Sequence, residues 1–203
     1  IHDHCDLFGV KLTPAWARRN TPEVAACDYQ GKRRDDQAWQ LAPALFEAID
    51  SDARFGGIAG HEVDMFADAD NWQLPVFWSR WRCRGSAGLD AFAQDWADKR
   101  LFANPPFVLI ARVVAEARRR EVAITLVCQW DPQRLWWPVV QPDAPEAVAW
   151  RRVPADARNY LVEGEPLLRA PKADVYVVRL DFTLQRQECS LRAAALRRVQ
   201  RRR

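Results

Sequence analysis

Four consecutive residues, Asn104, Pro105, Pro106 and Phe107, join one apolar run to the next in "LFANPPFVLIARVVAEARRR". A plain strand-to-helix turn does not need two prolines, an amide and a ring. Proline fixes φ and removes a backbone donor, so Pro-Pro makes a stiff support. A polar side chain and a ring on that support could hold a flat ligand. The same residues also read as structure alone: a strand end, a proline-capped helix start, and Phe107 packed beneath.

The tetrad fits a pattern of Asp, Asn or Ser, then Pro-Pro, then an aromatic residue. That is the catalytic signature of amino-methyltransferases acting on adenine. An exocyclic amine is a poor nucleophile because its lone pair is delocalised into the ring. An Asn side-chain oxygen and a backbone carbonyl can accept its two hydrogens and draw the nitrogen toward tetrahedral geometry. The aromatic residue stacks on a base taken out of the helix.

The neighbourhood adds to this. "EVDMFADADNWQLPVFWSRW", "GLDAFAQDW", "RLFANPPF" and "VAITLVCQWDPQRLWWPVV" follow in order. The series resembles the phage-type Dam-like adenine methyltransferase domain, in the version carried by DIRS-like tyrosine-recombinase retroelements downstream of reverse transcriptase and RNase H. The resemblance covers residues 38–182. It implies methyl transfer from S-adenosylmethionine to adenine in DNA, by an active or a degenerate domain. Asn104 and the Pro105 carbonyl would orient the amine on the frame set by Pro106, and Phe107 would stack. Asp64, Phe66 and Asp90 would hold the cofactor, with Asp95 and Trp96 lining the same cleft. The plain structural reading of each Asp is a helix cap or a loop solvator. One departure stands out: no F-x-G-x-G loop follows the first strand, and the glycines at 56, 57 and 60 precede it. The rival expectation is therefore an inactive nucleic-acid-binding or assembly module of the same polyprotein.

Upstream, "LFGVKLTPAWARRN" and "AACDYQGKR" resemble the last strand and final helix of a retroelement RNase H. Asp28 would match its last metal-binding carboxylate. The other carboxylates would precede Ile1, so this chain is not expected to show RNase H activity alone. An RNA–DNA hybrid would be a partner only through the full polyprotein. The start "IHDHCDLFG", without methionine, reads as a piece of something longer. The expected divisions are residues 1–30 (RNase H end), 31–38 (polar linker), 39–183 (methyltransferase-like domain) and 184–203 (basic tail).

These chemistries need a scaffold, and the composition supplies one. The chain has 203 residues, 49% hydrophobic and 28% charged, enough for one sizeable domain. Strand and helix patterns alternate, which predicts an α/β fold with a mostly parallel sheet flanked by helices, methyltransferase-like or Rossmann-like. Central strands are expected in "EVDMF", "GLDAF", "RLFA" and "VAITLVCQ", with a late strand in "ADVYVVRLDF". Ligands in open α/β sheets bind at the carboxyl ends of strands, so Asp64, Asp90 and Asn104 are expected in one pocket. "WQLAPALFEAIDSDA" has helical spacing. A helix is expected over 108–120, with Val108, Ala111, Val114 and Ala115 on its apolar face and Arg118, Arg119 and Arg120 exposed at its end.

Charge and composition exclude other classes. The net charge of +3 is concentrated in the tail "LRAAALRRVQRRR" and in "RVVAEARRR". Arg80, Arg82 and Arg84, with Trp136 and Trp137, are candidate nucleic-acid contacts; the tryptophans read equally as cleft wall or core. Five scattered cysteines without a CxxC argue against a zinc site or a disulfide framework. They suit a reducing, intracellular compartment, nucleus or cytoplasm. No apolar run reaches membrane length, so no membrane partner is expected. His2, His4 and His61 lack ligand-spaced partners, and there is no P-loop or G-x-S-x-G.

Overall fold

The computed structural model describes residues 39–183 apart from 163 and 168. The RNase H-like end with Asp28, the linker 31–38 and the tail 184–203 lie outside the described residues. In chain order the elements are β1 (Trp39–Leu41), α1 (Pro43–Asp50), α2 (Ala53–Gly56), β2 (Val63–Asp64), β3 (Trp78–Ser79), β4 (Gly88–Leu89), β5 (Leu101–Ala103), α3 (Ile110–Arg120), β6 (Ala123–Gln129), α4 (Trp137–Val140), β7 (Ala147–Val153), β8 (Tyr160–Val162), β9 (Glu165–Pro166) and β10 (Val175–Asp181).

The main sheet has the order β2-β5-β6-β10-β7. β2, β5 and β6 run parallel, whereas β10 is antiparallel to both β6 and β7. This overturns the expected mostly parallel, helix-flanked, Rossmann-like sheet: the sheet is mixed. Its longest ladders are the antiparallel ones, with seven residue pairs between β10 and β6 against three between β5 and β6. Its cover is not helical throughout either, since β1, β8 and β9 form a separate three-stranded sheet. "GLDAF" is not a central strand. It supplies β4, which pairs only with β3, in a two-stranded parallel ribbon. A single parallel bridge, Asp64 to Phe77, ties that ribbon to β2.

Side chains of successive strand residues point to opposite faces, and the two cores follow that alternation. On one face Leu101, Ala103, Ile124, Leu126 and Val178 pack against Ile110, Val113, Val114 and Ala117 of α3. On the other, Phe102, Val127, Val175 and Val177 pack against Leu41, Phe46, Ile49 and Phe55.

The apolar face of α3 differs from the expected one. Val108 is 78% exposed, and Ala111 and Ala115 also face outward. A 3-10 turn over Phe107–Leu109 precedes the α-helix. Such a turn has fewer residues per revolution, so the helical phase is set from Ile110. The run of arginines also splits. Arg119 pairs with Glu116 at the surface, and Arg118 reaches Glu146 at 2.7 Å. Arg120 turns inward to donate to the carbonyls of Phe92, at 2.6 Å, and Gln94. It also lies 4.7 Å from the ring centroid of the fully buried Trp96. Arg120→Ala is therefore expected to cost about 1.5–3 kcal/mol by stranding charge-assisted acceptors. Arg119→Ala should stay within about 0.5 kcal/mol. Urea melts of the two variants check the contrast.

A polar cluster crosses the second core. The backbone N–H of His61 donates to Asp50 Oδ1 at 2.6 Å, and its Nδ1 lies 2.7 Å from the same oxygen. Nε2 lies 2.8 Å from Thr125 Oγ1, which is 3.0 Å from the Phe55 carbonyl. Arg179 donates to Thr125 Oγ1 at 3.4 Å. Burial pushes the His61 pKa below its ordinary value, against the opposing pull of Asp50. Among the described residues, no helix is long and apolar enough to cross a membrane.

Candidate functional site

The tetrad follows directly from β5. Asp64, the last residue of β2, lies opposite Phe102, so β2 ends one residue short of β5, and Asn104 is the residue next after β5. Asn104 is half-buried, and its Nδ2 donates to the Trp39 carbonyl at 3.2 Å. A carbonyl only accepts, so this bond fixes the amide with NH2 toward β1 and Oδ1 turned away as an acceptor. The Pro106 carbonyl accepts from Leu109 N–H at 2.8 Å. Among the described residues no hydrogen bond engages the Pro105 carbonyl. Asn104 Oδ1 and the carbonyl of the buried Pro105 thus accept no hydrogen bond from the described residues. Phe107 is half-buried against the α3-side core, and its ring centroid lies 5.5 Å from that of Trp39. Trp39 in turn meets Tyr160 edge-on at 5.1 Å.

The expected cofactor residues lie along the same edge but not in one shared wall. Asp64 is only 2% exposed. Its Oδ2 accepts from Gln73 N–H at 3.0 Å, and its buried Oδ1 has no hydrogen-bond partner. Burial drives its pKa up to about 7. Asp64, expected among the cofactor residues, is thus placed as a buried carboxyl rather than at an open surface. Asp90 ends β4 and is exposed, two strands from β2. It caps a 3-10 turn, with Oδ1 accepting from Phe92 N–H at 3.0 Å. Phe66 meets Phe92 edge-on at 5.6 Å.

Asp95 and Trp96 do not line a cleft with these residues. Asp95 is an exposed turn residue accepting from Ala97 N–H, and Trp96 is core, its Nε1 donating to the Ala91 carbonyl at 2.6 Å. Sequence reasoning missed two residues here. Trp39 closes over the tetrad, and the Arg112 guanidinium sits 3.7 Å from the Phe92 ring centroid. Arg112 could have been noticed as an arginine in the first turn after the tetrad.

The Asp90 carboxylate is exposed, close in chain to the Phe92 that packs on Phe66. After β2 the chain continues Met65-Phe66-Ala67, without a glycine.

The nucleic-acid candidates divide. Arg80, Arg82 and Arg84 are exposed, and Arg80 lies 5.0 Å over the ring of the half-exposed Trp81. Trp136 and Trp137 are buried in the α3-side core, so neither offers a ring face to a base. Their segment forms the short helix α4 and turns inward. The exposed indole of that stretch is Trp130, which packs on Trp137 at 4.5 Å. Neither protein-family models nor curated proteins give a match to this chain.

Proposed function

We propose that this domain transfers a methyl group from S-adenosylmethionine to the exocyclic amine of adenine in DNA, with Asn104-Pro105-Pro106-Phe107 as its working tetrad. The observation that carries the reading is the hydrogen bond from Asn104 Nδ2 to the Trp39 carbonyl. It turns the amide NH2 toward β1 and leaves Oδ1 outward, and in this reading Oδ1 and the Pro105 carbonyl together accept the two hydrogens of the NH2 group. Accepting both hydrogens weakens conjugation of the nitrogen lone pair with the ring. Phe107 supplies the apolar surface for the base. When bound, S-adenosylmethionine supplies an electrophilic methyl carbon. Asp90, with Phe66 and Phe92, would hold its adenosyl part. DNA is the partner, with an RNA–DNA hybrid added when the domain works within a full retroelement polyprotein.

Calorimetric titration with S-adenosylmethionine and S-adenosylhomocysteine tests the cofactor claim. Heat with both is expected, and no heat with either on folded protein overturns it. Asn104→Ala is expected to abolish transfer while costing only about 0.5–1.5 kcal/mol of stability, because one neutral hydrogen bond is lost.

Two features favour a second reading. The sealed Asp64 and the glycine-free Met65-Phe66-Ala67 suit a module that binds nucleic acid without chemistry. DNA binding unaffected by cofactor and by Asn104→Ala would support it. In either reading, changing Arg80, Arg82 and Arg84 together to alanine should lower the salt slope of DNA binding by about 2–3, roughly one per phosphate contact. A slope equal to the wild type removes these residues from the interface.

A further inference from the structure

We propose that Trp39 is a gate on this site: its indole rests against Phe107 where an extruded purine would stack, and the indole must swing aside, with the Trp39 backbone still holding Asn104, before a base can enter. The inference rests on the tetrad being a base-binding site.

One residue engages both working groups of the tetrad. Its carbonyl holds the Asn104 amide at 3.2 Å, and its indole stands 5.5 Å from the Phe107 ring, tilted by 50°. Phe107 packs against the α3-side core and is half-buried, and Trp39 meets its ring, so the indole takes up ring surface that a base could use. Indole is a flat bicyclic heteroaromatic close to purine in size, which makes it a credible occupant of a purine seat.

The support is built unevenly along β1. Leu41 is fully buried, its carbonyl accepts from Gln73 Nε2 at 2.9 Å, and the following Ala42 N–H donates to the Asn159 carbonyl at 2.8 Å. Trp39 is half-buried and sits at the other end of the strand. Among the described residues β1 pairs with β8 alone, at the edge of its three-stranded sheet. The backbone of β1 is thus held by β8 and at Leu41, so the movement falls to the Trp39 side chain while its carbonyl keeps Asn104 in place. The edge-on contact with Tyr160 at 5.1 Å gives the closed position a defined seat.

The test uses single-stranded DNA carrying one 2-aminopurine, with affinity read by anisotropy of an end label and stacking read by 2-aminopurine quenching. Trp39→Ala is expected to tighten binding by about 2- to 10-fold, the equivalent of one aromatic pair, and to deepen the quenching. Adding Phe107→Ala should erase both gains. Trp39→Leu keeps an apolar contact to Tyr160 and carries the same expectation if the alanine variant melts early. Equal or weaker binding in folded Trp39→Ala and Trp39→Leu overturns the gate. So does a gain that survives Phe107→Ala. No cofactor enters this experiment, so a failed S-adenosylmethionine titration counts against methyl transfer and leaves the gate result readable.

Discussion

Asp64→Asn gains stability relative to the wild type as pH rises from about 4 to about 7, and the gain then stays level. The folded carboxyl has its pKa raised by burial to about 7, from an ordinary value of 3.8. Between those values the unfolded chain ionises Asp64 while the folded chain keeps it protonated. Wild-type stability from this group is thus complete below pH 4 and lost as pH climbs through 7. Three pH units correspond to about 4 kcal/mol, or roughly 10 °C in melting temperature for a domain of this size. An amide cannot ionise, and its Oδ1 can still accept from Gln73 N–H. Any constant offset from the substitution is irrelevant, because the prediction concerns only the pH-dependent part. Parallel melting curves for the two proteins from pH 4 to pH 8 would refute it.

Trp96→Ala is expected to lose about 3–5 kcal/mol, through lost apolar burial and the cavity left behind. The indole is fully buried, and its Nε1 is bonded to the Ala91 carbonyl. Arg120 covers the ring, so the Trp96→Ala and Arg120→Ala costs should fall short of additive by more than about 0.5 kcal/mol. Trp96→Phe should recover much of the packing but not the Nε1 bond. A urea-melt double-mutant cycle measures this, and strict additivity would separate the two groups. Trp81→Ala, at a half-exposed ring, serves as the control and should change little.

The sequence signals that proved readable were local ones. β6 announced itself through a seven-residue β-branched and apolar run, and α3 through its charged end. The edge strand β7, "AVAWRRV", carries arginines and alternates weakly, so nothing local marked it. The insertion of β10 between β6 and β7 depends on long-range pairing that no window of residues displays. That insertion changed a parallel expectation into a mixed sheet. Chemistry was legible where burial was not. Asp64, Trp136 and Trp137 were recognisable as residue types, but whether each faced solvent or core depended on distant segments. The partner that orients Asn104 lies 65 positions earlier in the chain, beyond any motif.

The His61 cluster has a consequence for how α2 is held. A threonine hydroxyl has one hydrogen to give. Nδ1 of His61 faces the carboxylate of Asp50, which accepts, so Nδ1 carries a hydrogen. In the neutral tautomer Nε2 must then accept, and Thr125 gives its hydrogen to the ring, leaving the Phe55 carbonyl without it. Burial, followed by the positive charges of Arg179 and Arg100, favours that neutral ring. Once the ring gains a proton, Nε2 donates, and the Thr125 hydrogen swings back to Phe55. Arg179 can donate to the hydroxyl oxygen in both arrangements. The Phe55 carbonyl of α2 is therefore engaged by a hydroxyl rotor whose direction records the charge on His61, while the Phe55 ring stays packed in the core.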